Sequence, residues 1–78
     1  MKVRIIGKPG CKYCRLARRL AVKHDHVWSY VDIDKEPNAD YKNYLRVEGL
    51  NTVPQIWVDG KHIGGYTEYL HLCEELHG

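Results

Sequence analysis

Lys2-Val3-Arg4-Ile5-Ile6-Gly7-Lys8-Pro9-Gly10-Cys11-Lys12-Tyr13-Cys14 passes through three kinds of local structure in one short run. The β-branched residues Val3, Ile5 and Ile6 make Lys2–Ile6 a strand, and the cluster Gly7-Lys8-Pro9-Gly10 ends it in a turn. From Lys12 to about His24 the apolar residues Leu16, Ala17, Leu20 and Ala21 recur at helical spacing, while Arg15, Arg18, Arg19 and Lys23 cover the outer face. The C-x-x-C pair, Cys11 and Cys14, therefore opens a helix. Val27–Ile33, with Val31 and Ile33 on one face and the aromatics Trp28 and Tyr30, reads as a second strand. Strand, helix and strand in this order imply a right-handed parallel crossover.

Beyond the crossover, Pro37 suits the first turn of a second helix that carries Tyr41, Tyr44 and Leu45 at i, i+3 and i+4, with Gly49 as its stop. Gln55-Ile56-Trp57-Val58, Asp59-Gly60 and Lys61-His62-Ile63 form a hairpin signal, since Asp-Gly fits the two-residue turn that matches strand twist. After Gly64-Gly65, the stretch Thr67–His77 places Tyr69, Leu72, Cys73 and Leu76 on one helical face, with Thr67 as N-cap. No repeat, linker or low-complexity segment interrupts the chain. The expected order is β-α-β-α-β-β-α in one α/β domain spanning residues 1–78.

A chain of 78 residues with 44% hydrophobic and 28% charged side chains has the make-up of an ordinary small globular domain, which sets aside disorder and a multidomain plan. Folding at this length buries only about 60% of the unfolded chain's surface, so any chemistry sits in a shallow site. The longest apolar runs, Leu20–Val22 and Ile56–Val58, are far short of the roughly 18 residues of a membrane span. Met1 is followed at once by a strand, with no apolar signal core, so a cytoplasmic location is expected and no membrane partner. The formal charge of +2 hides an asymmetry: residues 1–23 hold eight cations and no acid, and the remainder holds four cations against ten acids. The cysteine pair lies inside the positive part.

Three cysteines make a poor secreted disulfide framework, and two of them stand at i and i+3, which directs attention to reactive use. That spacing in a first helical turn brings the Cα atoms within the range a disulfide requires. Cys11 sits at the helix start, where unpaired N–H groups and the dipole favour a negative charge, and Lys8, Lys12 and Arg15 add cations. Such surroundings lower a thiol's pKa, so Cys11 is the nucleophile candidate and Cys14, further into the helix, its partner. A structural zinc site needs four ligands, and His24 and His26 are separated by one residue rather than three to five, so no metal is expected. Cys73, on the apolar face of the last helix, reads as core. The basic helix face carries no recognised nucleic-acid motif and the rest of the chain is acidic, so no nucleic-acid partner is expected.

Gly7-Lys8-Pro9-Gly10-Cys11-Lys12-Tyr13-Cys14, Tyr30-Val31-Asp32-Ile33, Thr52-Val53-Pro54-Gln55-Ile56 and Gly64-Gly65-Tyr66-Thr67-Glu68 together resemble the glutaredoxins, in particular the short bacterial-type dithiol members, over almost the whole chain. The resemblance implies the thioredoxin-like fold, a four-stranded mixed sheet flanked by three helices, and a cis Val53-Pro54 bond. It implies glutathione as reducing co-substrate, paired to the Val53 backbone like one rung of an added strand. The γ-glutamyl carboxylate of glutathione would meet the N–H groups of Thr67 and Glu68 and the Thr67 hydroxyl, an anion at a helix start. Gly65 would permit close approach, Lys8 would face the glycyl carboxylate, and Tyr13 and Tyr66 would wall the groove; Thr52 and Pro54 complete the implied binding set. Lys12 stands where many dithiol relatives carry proline. An ammonium there favours the thiolate, so the potential and the pKa are this chain's own.

The expected activity is glutathione-dependent thiol-disulfide oxidoreduction by a monomer, with Cys11 as nucleophile and Cys14 as resolving thiol. Expected partners are glutathione, glutathionylated proteins and disulfide-bearing proteins, ribonucleotide reductase being a usual client of similar proteins. Two rivals stand beside it. One is a glutaredoxin-like electron donor reduced by thioredoxin reductase; the other is an iron-sulfur carrier in which two subunits share a cluster through Cys11 and two glutathiones.

Overall fold

A computed structural model describes residues 1–77. Its elements are β1 (Lys2–Gly7), α1 (Lys12–Lys23), β2 (Val27–Asp32), a 3₁₀ turn (Glu36–Asn38), α2 (Ala39–Val47), β3 (Gln55–Val58), β4 (Lys61–Gly64) and α3 (Tyr66–His77). The four strands form one sheet in the order β2-β1-β3-β4, parallel between β1 and β2 and antiparallel elsewhere. This is the thioredoxin-like fold. Gly78, the last residue of the expected domain, lies outside the described residues.

Strand alternation divides the sheet into two faces. Val3 and Ile5 point toward α1 and α3, where they join Ala17, Leu20, Ala21, Ile56, Val58, Tyr69 and Cys73 in one buried core. Ile5 and Ile56 face each other across β1 and β3 and are both fully buried, which contributes about 1.5–3 kcal/mol apiece. Lys2, Arg4 and Ile6 point to the other face, beneath α2. There α2 buries Leu45 but leaves Tyr44 45% exposed, its ring 6.3 Å from that of Trp57. The face read from Tyr41, Tyr44 and Leu45 is therefore only partly covered.

The hairpin turn is as the Asp-Gly pair implies, with positive φ at both Asp59 (51°) and Gly60 (84°). The second helix departs from expectation at its start. Pro37 lies in the 3₁₀ turn, closed by the Asn38 N–H donating to the Lys35 carbonyl at 2.9 Å, and α2 proper begins at Ala39. Asn38 spends its side chain elsewhere, its Nδ2 donating to the Asp32 carbonyl at 2.8 Å. The strand β2 stops at Asp32, although the Ile33 N–H still donates to the Gly7 carbonyl at 2.9 Å. Thr67 is not the N-cap of the last helix: α3 starts at Tyr66, and the Gly65 carbonyl accepts from the Tyr69 N–H at 3.1 Å. Thr67 thus sits in the first turn. Leu76, expected on the buried face, is 54% exposed.

Candidate active site

The end of β1 and the start of α1 deliver the two cysteines to one edge of the sheet. Cys11 is the N-cap, with extended backbone, and its Sγ accepts from the Cys14 N–H at 3.2 Å, the place that a serine or aspartate oxygen takes in an ordinary cap. The Cys11 carbonyl accepts the first helical bond, from Arg15 N–H at 3.2 Å. Cys11 and Cys14 are joined as a disulfide with Cα atoms 5.2 Å apart. Cys11 is half-buried, whereas Cys14 is 1% exposed. An attacking group from solvent meets Cys11.

Three residues outside the expected catalytic and binding set hold this arrangement. A Cβ on Gly7 would stand 2.7 Å from both Cys14 Sγ and the Tyr30 hydroxyl, so hydrogen alone fits there. Tyr30 in turn donates to the Lys8 carbonyl at 3.4 Å and lies under the Arg18 guanidinium, 4.6 Å from its ring centre. Burial raises the Tyr30 hydroxyl above its ordinary pKa, with Arg18 opposing and Asp32 and Asp34 reinforcing the shift, so it remains a donor at neutral pH. Buried Gln55 donates from Nε2 to the Thr52 carbonyl at 2.8 Å, and its Oε1 lies 2.7 Å from His62 Nε2. That ties the loop before β3 to the hairpin.

The loop so held brings Val53 opposite the cysteines. Its carbonyl oxygen lies 3.7 Å from Cys11 Sγ, and the Val53-Pro54 bond is cis, as the resemblance implied. A shallow groove of about 180 Å³ runs from there, lined by Tyr13, Thr52, Val53, Pro54, Gly65, Tyr66, Thr67 and Glu68. The rings of Tyr13 and Tyr66 stand 5.9 Å apart, tilted by 34°. At the far end the first-turn N–H groups of Thr67 and Glu68 have no intrahelical acceptor, which makes that end receptive to an anion. Gly64 has φ of 120°, and a Cβ there would meet the Glu68 side chain at 2.8 Å. Gly65 stands close to the Pro54 carbonyl oxygen, 3.4 Å from where its Cβ would be. Eight of the nine residues expected to line a binding site come together. Lys8 does not line the groove; it is exposed on the loop before Cys11.

A larger concavity of about 700 Å³ opens on the other sheet face, between α2 and residues such as Arg4 and Trp57, and no cysteine lines it. Cys73 is buried in the core, where burial pushes its thiol up, against a smaller opposing effect of its hydrogen bond to Tyr69. Among the described residues no group of three or more His, Cys, Asp or Glu side chains converges as metal ligands, and no helix is long and apolar enough to cross a membrane.

Comparison with known proteins gives a consistent result. The glutaredoxin family model matches residues 3–63. Glutaredoxin 1 of Salmonella typhimurium is 43% identical over 78 residues, covering 91% of this chain and 88% of that protein. The structure of oxidized Escherichia coli glutaredoxin superposes with a TM-score of 0.75 at 41% identity, covering 96% of this chain and 95% of that one. A buckwheat glutaredoxin-glutathione complex superposes with a TM-score of 0.79 at 25% identity, covering 94% of this chain and 68% of that one.

Proposed function

Because the chain belongs to the glutaredoxin family, a family of thiol-disulfide oxidoreductases, we propose that its cysteine pair works with glutathione. In the reduced protein, the Cys11 thiolate attacks the glutathione sulfur of a mixed disulfide. The bond between substrate sulfur and glutathione sulfur breaks, a Cys11-glutathione disulfide forms, and the substrate leaves as a thiolate that takes a proton from water. A second glutathione thiolate then attacks the glutathionyl sulfur on Cys11, giving glutathione disulfide and restoring the Cys11 thiolate. With a protein disulfide, Cys11 forms the mixed disulfide with the protein and Cys14 displaces the protein thiol. The resulting Cys11–Cys14 bond is reduced by two glutathiones.

The observation that carries this reading is the position of Cys11 Sγ. It lies 3.2 Å from the Cys14 N–H and 3.7 Å from the Val53 carbonyl, with the Thr67 and Glu68 N–H groups along the same groove. The N–H is a donor to a charged sulfur, and the Val53 carbonyl is an acceptor for a peptide N–H laid beside it. On this reading Tyr13, Thr52, Val53, Pro54, Gly65, Tyr66, Thr67 and Glu68 hold the tripeptide, and Lys8 reaches its glycyl carboxylate from the loop. The protein acts as a single-domain monomer in the cytoplasm, whose glutathione pool keeps such a dithiol cycling, on glutathionylated and disulfide-bearing proteins, ribonucleotide reductase among them.

The test is a steady-state assay of a small glutathione mixed disulfide, coupled to glutathione reductase and NADPH. Cys11→Ser should abolish turnover and Cys14→Ser should retain much of it. Equal loss in both would overturn the assigned roles, and reduction by thioredoxin reductase without glutathione would overturn the choice of reductant.

A further inference from the structure

The start of helix α1 runs against the helix dipole, although Lys23 in its last turn suits it. It has no acid in its first turn, where the dipole favours one, and instead begins with Lys12 and carries Arg15 one turn on. Arg15 and Arg19, and Arg19 and Lys23, are like charges at i and i+4, which oppose each other along the surface. On a helix of 3.6 residues per turn, Lys12, Arg15, Arg19 and Lys23 fall within an arc of about 80° and make a stripe about 16 Å long. All four are exposed, on the side opposite Cys14, Ala17, Leu20 and Ala21, which are buried. The one ion pair among the described residues is Lys42 with Asp34, so none of the four meets an acid. Arg18 is different: it stacks on Tyr30 and serves the fold. The first acid in the chain is Asp25, beyond the end of the helix.

A row of like charges that no acid offsets, eased only by Lys12 lying 5.8 Å from the Tyr13 ring centre and by Lys23 at the favourable end of the dipole, is the pattern expected of a surface kept for a partner. Cys11 caps the end where the stripe begins. We infer that the stripe is a docking surface for an acidic polypeptide segment, which is laid along α1 so that the partner's own cysteine arrives at Cys11. A stripe of this length matches about five residues of extended chain at roughly 3.3 Å per residue. A polypeptide is favoured over nucleic acid because a long polyanion would also run across the remainder of the molecule, where ten acids outnumber four cations. The chemistry at the stripe's end also acts on sulfur. The inference rests on the thiol-disulfide function proposed above and adds the class of protein that the site selects.

The experiment uses three glutathionylated peptides with one cysteine each, followed by four Glu, four Ser or four Lys, and a small glutathione mixed disulfide as control. At low salt kcat/KM should follow the order Glu, Ser, Lys, with about a tenfold or greater span that collapses as salt rises, as steering requires. Arg19→Glu with Lys23→Glu, remote from Cys11, should remove or invert the order while leaving the control unchanged; Arg19→Gln with Lys23→Gln should reduce it. Equal rates for the three peptides alongside normal control turnover would overturn the inference and leave the function standing. Loss of control turnover would overturn the function. In that case the stripe is read by fluorescence anisotropy of the peptides with Ser for Cys, where tighter binding of the Glu peptide supports the inference and equal binding overturns it. Tighter binding of a DNA duplex or of phosphatidylserine vesicles than of the Glu peptide at physiological salt would also overturn it.

Discussion

Gly7 shows how little room the site leaves. With Cys14 Sγ and the Tyr30 hydroxyl both 2.7 Å from where its Cβ would be, Gly7→Ala must push apart α1, β1 and β2 at the point where they meet. A cost of about 1–3 kcal/mol is expected from such overpacking, read as a lower Tm in thermal denaturation. Nothing in the sequence separates Gly7 from the other turn glycines, because the contact arises only once the crossover has folded. Cys73 illustrates the reverse case: its apolar helical position already marked it as core, and it is 1% exposed. Burial raises its pKa, so the folded chain keeps the Cys73 proton at pH values where the unfolded chain has released it. The folded state then binds more protons, and stability that is fully present below the ordinary thiol value, about 9, falls as pH rises from there through the raised value. Urea denaturation at pH 7 and pH 10 should show this loss, and Cys73→Ala, less stable at neutral pH, should show a smaller one.

Helix α1 joins two demands that conflict. Its N-terminus is shaped for a negative sulfur, yet Lys12 occupies the first position, where an acid would suit the dipole. Lys12→Glu should therefore stabilise the protein by about 0.3–1 kcal/mol while slowing alkylation of reduced Cys11 at neutral pH, a split that thermal melts and iodoacetamide kinetics can both read. The loop before β3 depends on Gln55 in the same practical sense. Gln55→Leu removes its bonds to Thr52 and His62 and should raise KM for a glutathione mixed disulfide more than it lowers kcat, since the loop lines the groove but the sulfur chemistry is on α1. Elements defined by local pattern were legible: the cysteine-bearing turn, the Asp-Gly hairpin and the amphipathic α1 need only neighbours in sequence. Legibility failed where distant residues decide. Pro37 falls in a 3₁₀ turn before α2 while Asn38 binds Asp32, Thr67 lies inside α3 rather than capping it, and Gln55 acquires its role only when Thr52 and His62 converge on it.

Taken as a whole, the molecule keeps its main core cluster on one side of the sheet and its chemistry on an edge, which is what a chain of this size allows. The core anchors both helices that bear on the site: Ala17 and Ala21 from α1, Tyr69 and Cys73 from α3. Tyr69 crosses that core to His26, its hydroxyl 2.6 Å from Nδ1, and burial raises it far above the ordinary tyrosine value, so it is neutral there. Fixing α1 against α3 fixes Cys11 against the Thr67 and Glu68 N–H groups, and the proposed chemistry requires that arrangement to be set before any ligand arrives. Mass spectrometry of Cys14→Ser after incubation with glutathione disulfide reads this most directly. The expected result is one glutathione per molecule, on Cys11, released by added reduced glutathione. An unmodified Cys11, or an adduct found on Cys73 instead, would contradict it.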